Sequence, residues 1–307
     1  MGATASAMER LAVPFELYKT SEWEINAVAS YKAIHFGQDG NDYSEGLSIE
    51  EVEQALFDFS ISTDGKSPLT MQQIKRKNEK WKRTVYNNFK ATHNLGSITG
   101  ITGDDLQIVD TDTYTYLMTY SFPCQSLSIA GKQHGMAKGS GTRSGLLWEV
   151  ERILNECKNL PQILVMENVP QVHGKKFIND FNLWLEYLKS KGYHNYWKDL
   201  NAKDYGVAQN RNRTFLVSFL DDVDFRFPEP IPLQKTIRDY LEDCVDEKYY
   251  LTSDRAKQLV DKLIAEGTIP TNERTNERTN ERTNERTNER TKSNQPHNQE
   301  PERDHNC

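Results

Sequence analysis

The chain has 307 residues, a formal net charge of -7 and 36% hydrophobic residues, room for one large domain or two small ones. An acidic balance does not announce a nucleic-acid binder, although a local basic groove suffices for one. Four widely spaced cysteines (Cys124, Cys157, Cys244, Cys307), with no Cys-x-x-Cys, argue against a zinc site or a disulfide framework.

Residues 1–11 read as a helix behind a small-residue turn, closed by Pro14. Residues 15–20 alternate as a strand. Ser21-Glu22-Trp23-Glu24 comes next, then an amphipathic helix over 25–36 stopped by Gly37. An acid at the end of the second strand of a nucleotide-binding half-fold is placed to accept hydrogen bonds from ribose hydroxyls. Trp23 beside it could stack on a purine; the competing reading is a surface Glu and a packing Trp. Residues 41–94 look like an insertion with two helices, 48–59 and 68–89. The second carries Lys75, Arg76, Lys77, Lys80, Lys82 and Arg83 around Trp81. Such a run meets a phosphate backbone or is a solvated helix face.

Residues 95–99 are a short strand end, and 114–119 alternate as a strand. That strand runs into Tyr120-Ser121-Phe122-Pro123-Cys124-Gln125-Ser126-Leu127-Ser128 and a Gly- and Ser-rich loop over 130–143. A cysteine behind a proline, between a strand and a closing loop, is placed for a nucleophile; the alternative is a buried structural cysteine. A helix over 144–155 turns Leu146, Leu147, Val150, Ile153 and Leu154 inward. Residues 163–166 are fully apolar, as in the middle of a parallel sheet. They deliver Glu167-Asn168-Val169-Pro170 at the strand's C-terminal end, where open α/β sheets put their chemistry. Glu167 there is either an acid of raised pKa or a cap for the next turn.

A helix over 177–191 and a strand over 193–200 precede Tyr205-Gly206-Val207-Ala208-Gln209-Asn210-Arg211-Asn212-Arg213, which opens a strand over 214–219. Arg211 and Arg213, two apart, point to one side, and Arg suits bidentate contacts. Residues 221–246 are polar and proline-rich, with a short helix near 235–244; another helix covers 252–266. Strands and helices alternate without hairpin signals. This predicts an α/β fold with a doubly wound, mostly parallel sheet.

Taken in order, Pro123-Cys124-Gln125, Glu167-Asn168-Val169 and Gln209-x-Arg211-x-Arg213 resemble the DNA (cytosine-5) methyltransferase family of prokaryotes and phages. The loop from Ser126 to Gln133 matches its catalytic loop, Thr142-Arg143-Ser144-Gly145-Leu146 the motif after it, and Ser21-Glu22-Trp23-Glu24 its cofactor-ribose motif. The resemblance covers roughly residues 1–250 and implies a Rossmann-like domain using S-adenosylmethionine, with no metal. It makes Cys124 the thiolate that adds to C6 of a flipped cytosine. Glu167 becomes the carboxyl group near N3, and Arg213 lies near the base with Arg211 close by. The cofactor contacts carried over are Gly2, Glu22, Trp23, Ser97, Ile98, Pro123 and Leu146. Double-stranded DNA is the implied partner, with a possible cognate restriction endonuclease. A cytoplasmic monomer is expected: no apolar run reaches membrane-spanning length and no signal-peptide pattern opens the chain.

The departures set further expectations. Only Gly2 matches the family's opening Phe-x-Gly-x-Gly turn, so weak cofactor binding is expected. Ser97 stands where the family has an acid near the adenine; Asp104 is the alternative. The catalytic domain is expected over 1–250 with the insertion at 41–94. A helix over 251–269 leads towards an absent target-recognition region, and 270–307 form a disordered, low-complexity tail. In that tail Thr271-Asn272-Glu273-Arg274 recurs in five copies to Arg290. A repeated ACGA unit encodes this peptide in every frame, so slippage would be silent within the tract and alter only the residues encoded after it. A phase-off or remnant methyltransferase without activity is thus an alternative reading. A cysteine hydrolase is a third, weakened because no motif places a His to activate Cys124.

Overall fold

The computed structural model describes residues 2–37, 40–123, 136–139, 142–242, 245–250 and 252–268. The repeat and tail expected over 270–307 lie outside the described residues. The chain divides into two compact units between Lys235 and Thr236.

In the first unit, α1 (Ala3–Arg10) starts behind Gly2, whose φ is 91°. A Cβ at Gly2 would overlap Nε2 of His35 on α2 (Ile25–His35), so conformation and space both ask for glycine there. Glu24 caps α2, its carboxylate accepting from Asn26 N at 3.1 Å and Ala27 N at 2.7 Å. The strand expected over 15–20 does not form. That stretch makes an isolated parallel bridge, Thr20 to Asn94, and side-chain hydrogen bonds at Tyr18 and Thr20, and the strand expected over 95–99 is likewise absent. Alternation alone makes no strand without a neighbour to take its backbone groups.

Three helices come next: α3 (Ile49–Asp58), α4 (Met71–Lys75) and α5 (Glu79–Ala91). They close with α2 on a separate apolar core that includes Val28, Val52, Leu56, Ile61, Ile74 and Phe89. The single helix expected over 68–89 is two. Asn78 caps α5, accepting from Trp81 N at 2.8 Å, and starts a new helix where a continuous one would have run. Lys82 turns inward to a buried ion pair with Glu53.

Hydrogen bonds lower the pKa of three acids around these helices. Asp42 is lowered chiefly by the Ser44 hydroxyl, Glu51 by the Ser48 backbone N–H, and Asp64 by the backbone N–H groups of Lys66 and Ser67. Folded-state values below the unfolded ones supply stability that is present above the unfolded values and lost as pH falls through the folded ones. The helical signal of this segment is therefore expected to weaken below about pH 4. Circular dichroism unchanged down to about pH 2 would contradict this.

The sheet has four strands in the order β1-β2-β4-β3: β1 (Leu117–Tyr120), β2 (Ile163–Asn168), β3 (His194–Asn201) and β4 (Asn212–Phe219). β1 and β2 run parallel; β2 with β4 and β3 with β4 run antiparallel. Among the described residues the sheet is therefore mixed, not mostly parallel, and 202–211 join an antiparallel pair where no hairpin was expected. The crossover between β1 and β2 carries α6 (Leu147–Glu156), and α7 (Ile178–Ser190) joins β2 to β3. Leu147, Val150 and Leu154 of α6 share one core with Phe181, Trp184 and Leu188 of α7, Leu164 and Met166 of β2, and Leu216 of β4. Both helices thus cover one face of β2. The other face, with Ile163, Val165 and Glu167, is half-buried. A doubly wound sheet has helices on both faces; here α6 and α7 share a core with one face of β2, and the β3–β4 hairpin needs no crossover helix.

The second unit shows a 3-10 turn at Ile237–Tyr240, where a short helix was expected, and α8 (Asp254–Ala265) capped by Ser253. No described helix is long and apolar enough to cross a membrane.

Candidate active site

The end of β2 organises the site. Its burial alternates, so Asn168 turns into the core while Glu167 faces the other way. Asn168 Nδ2 donates to the Phe122 carbonyl at 3.0 Å, and its Oδ1 accepts from Val169 N at 2.9 Å. The turn after β2 starts behind Val169 with no side-chain cap, so Glu167 does not cap it. Ser144 Oγ donates to the Pro123 carbonyl at 2.5 Å. The two carbonyls just before Cys124 are thus each held by a side chain. One strand turn earlier, Tyr120 Oη accepts from Trp184 Nε1 at 3.0 Å, and burial pushes the Tyr120 phenol up. Cys124 itself and the loop from Ser126 to Gln133 lie outside the described residues.

Among the described residues, three polar side chains meet the Glu167 carboxylate. Arg213 Nε lies 2.9 Å and Arg211 Nη2 3.5 Å from Oε1, while Ser121 Oγ donates to Oε2 at 3.2 Å. Register explains the arginines. Glu167 pairs with Phe215 on β4, and Arg213, two positions away, shares its face. Arg211 precedes the strand, where Asn201 Oδ1 accepts from its backbone N–H at 3.0 Å. Both arginines reach one side, as their spacing predicts.

A second group of residues converges around Asn94. Its Oδ1 accepts from Glu22 N at 3.2 Å and from Gly96 N at 2.8 Å, while Ser21 Oγ donates to the Gly96 carbonyl at 2.9 Å. This places Glu22 and Trp23 beside Gly96 and Ser97. Glu22 Oε1 accepts from the backbone of Trp23 and Glu24, each at 2.9 Å. Asn94 Nδ2 is buried without a hydrogen-bond partner among the described residues. Asp104, the alternative to Ser97, sits elsewhere: its carboxylate lies 3.9 Å from Lys158, beyond the end of α6. Ile98 and Leu146 both pack against the core under β2, Pro123 is half-buried, and Gly2 opens α1.

Four residues to which the motifs assign no role hold these groups. Ser121, Ser144 and Asn168 lie inside the quoted stretches; Asn94 carries no motif, and no local signal could have found it. Cys157 is different in kind. Burial pushes its thiol up, with Glu156 and Asp104 adding to the effect, as in an inert cysteine.

Glu167, gripped by two arginines at the end of β2, thus lies one strand away from Pro123 beyond the end of β1. The family model described as C-5 cytosine-specific DNA methylase matches residues 69–306, and the chain belongs to that family. It is 38% identical over 256 residues to the type II methyltransferase M2.ScrFI of Lactococcus lactis subsp. cremoris, covering 83% of this chain and 68% of that protein. The orphan methyltransferase M.SssI of Spiroplasma monobiae is 36% identical over 259 residues, covering 82% of this chain and 65% of its own length. The type II methyltransferase M.NlaX of Neisseria lactamica is 40% identical over 167 residues, and the match covers 50% of that protein. The chain thus spans about two thirds of the first two relatives and half of the third.

Proposed function

We propose that this chain methylates C5 of cytosine in double-stranded DNA, with S-adenosylmethionine as donor and a covalent adduct between Cys124 and C6 of the base. The reading rests above all on the Glu167 carboxylate, gripped by Arg211, Arg213 and Ser121 one strand away from the pinned carbonyls that lead into Cys124. C5 of cytosine is a weak nucleophile. Addition of the Cys124 thiolate to C6 converts the ring to an enamine that attacks from C5. Glu167 supplies a hydrogen bond or a proton at N3 as charge develops on the ring. Once C5 carries the methyl group, a water molecule takes the C5 proton, and elimination breaks the C6–S bond and restores the thiolate. The base has to leave the duplex for any of this to occur.

Bound S-adenosylmethionine supplies an electrophilic methyl group. The residues present suit its nucleoside end: Glu22 offers a carboxylate to ribose hydroxyls, Trp23 offers a ring to adenine, and the orphaned Asn94 amide beside them suits a polar ligand or a water. Glu22→Ala is expected to weaken S-adenosylmethionine binding about tenfold or more, the size of a lost hydrogen bond to a charged group. Calorimetry would measure it, and an unchanged Kd would remove Glu22 from the cofactor site.

The type II label of two of the relatives supports a restriction–modification setting with a cognate endonuclease. The direct test incubates the full chain with tritiated S-adenosylmethionine and duplex DNA, then digests the DNA to nucleosides. Label in 5-methylcytosine is expected. Label in methylated adenine, or none on any duplex, would overturn the reading.

A further inference from the structure

The helices α3 to α5 hold a charge arrangement that the reaction at Glu167 does not use. Between Thr70 and Arg83 the chain carries six Lys and Arg against one Glu, in a protein whose net charge is -7. Two of the six are committed to structure. Lys82 is buried against Glu53, and Arg83 binds Glu79 at 2.8 Å and the Ser44 and Leu47 carbonyls at 2.9 and 3.1 Å. Arg83 thereby also occupies the only acid of the stretch. The other four, Lys75, Arg76, Lys77 and Lys80, are all exposed at the corner between α4 and α5. No carboxylate lies within ion-pair distance of them among the described residues. Lys77 Nζ lies 5.2 Å from the centroid of the Trp81 ring, which offers an aromatic face beside the cations.

The corner is also firmly mounted. Ile74 and Phe89, on the helices that flank it, are fully buried in the segment's own core. That segment is tied to the Glu22 stretch by hydrogen bonds that include Ile25 N to the Ser62 carbonyl at 3.0 Å, Ser62 N to the Trp23 carbonyl at 2.7 Å and Glu22 N to Asn94 Oδ1 at 3.2 Å. Unneutralised cations on a rigid corner, in a chain otherwise acidic, suit a dense line of fixed negative charge. From this we infer that Lys75, Arg76, Lys77 and Lys80 bind the phosphate backbone of duplex DNA, independently of its sequence, as a contact separate from the one at the flipped base. The inference rests on DNA being the substrate of the proposed reaction.

The test compares the full chain with the variant carrying Lys75→Gln, Arg76→Gln, Lys77→Gln and Lys80→Gln. Fluorescence anisotropy on a labelled duplex is measured across a salt series. Each phosphate contact contributes about 0.9 to the slope of log K against log salt. The slope is expected to shrink by roughly 2 to 3, and low-salt affinity to fall about tenfold or more. S-adenosylmethionine binding should stay as it was. The four side chains are exposed, so the fold should survive; should thermal unfolding of the variant shift, Lys77→Gln with Lys80→Gln alone should still lower the slope by about 1. An unchanged slope overturns the inference, and so does a wild-type preference for RNA hairpins or anionic vesicles over the duplex. Methylation with an unchanged slope keeps the proposed function and removes this contact. A reduced slope in a chain that never methylates DNA keeps the contact and removes the function.

Discussion

Cys124→Ser should abolish both methyl transfer and the covalent complex with DNA containing 5-fluorocytosine. Fluorine at C5 cannot leave as a proton does, so the wild-type adduct stalls and survives denaturing electrophoresis. Serine keeps the shape but lacks the thiolate, and without addition at C6 the ring never gains its nucleophilic carbon. The expected loss of rate is on the order of 10⁴-fold or more, the scale of removing a covalent nucleophile. Binding of duplex and of S-adenosylmethionine should change little. Cys157→Ala supplies the control. Burial pushes that thiol up, so its removal should leave the adduct intact. An adduct that persists in Cys124→Ser, or disappears in Cys157→Ala, would move the nucleophile elsewhere.

Glu167→Gln should slow methyl transfer by about 10²- to 10⁴-fold, the range for a positioned acid or base. The amide keeps the shape and one acceptor but loses the charge that holds Arg213 and Arg211. Duplex affinity and thermal stability should move far less, because the carboxylate and both guanidinium groups are partly exposed and such pairs contribute little to folding. Single-turnover kinetics alongside duplex titration separate the two effects. Loss of binding in proportion to loss of rate would make Glu167 a structural residue. Arg213→Lys should fall between wild type and Glu167→Gln, since an ammonium replaces the charge but not the planar fork.

Local pattern carried much of the fold. The periodicity of residues 144–155 and 177–191 and the apolar run at 163–166 correspond to α6, α7 and β2 within a few residues. Strand direction was not legible. An apolar run such as Ile163 to Met166 pairs equally well in either sense, and only the approach of β4 made it antiparallel on that side. The strand expected over 15–20 failed for the same reason: alternation prepares a strand, and a neighbour creates it.

Residue types at strand ends were determined by the sequence alone. A cysteine behind a proline, a carboxylate after an apolar run and two arginines in alternate positions narrow the chemistry, and each keeps a structural alternative until its neighbours are known. What only the tertiary structure decided is who holds whom. Ser121 meets Glu167 and Asn168 meets the Phe122 carbonyl, each across 46 residues of chain, and Glu22 meets Asn94 across 72. No helical or strand period reaches that far. These contacts exist because parallel pairing of β1 with β2 brings two strand ends side by side, and because the Thr20 to Asn94 bridge holds the Glu22 stretch against residues 94–96.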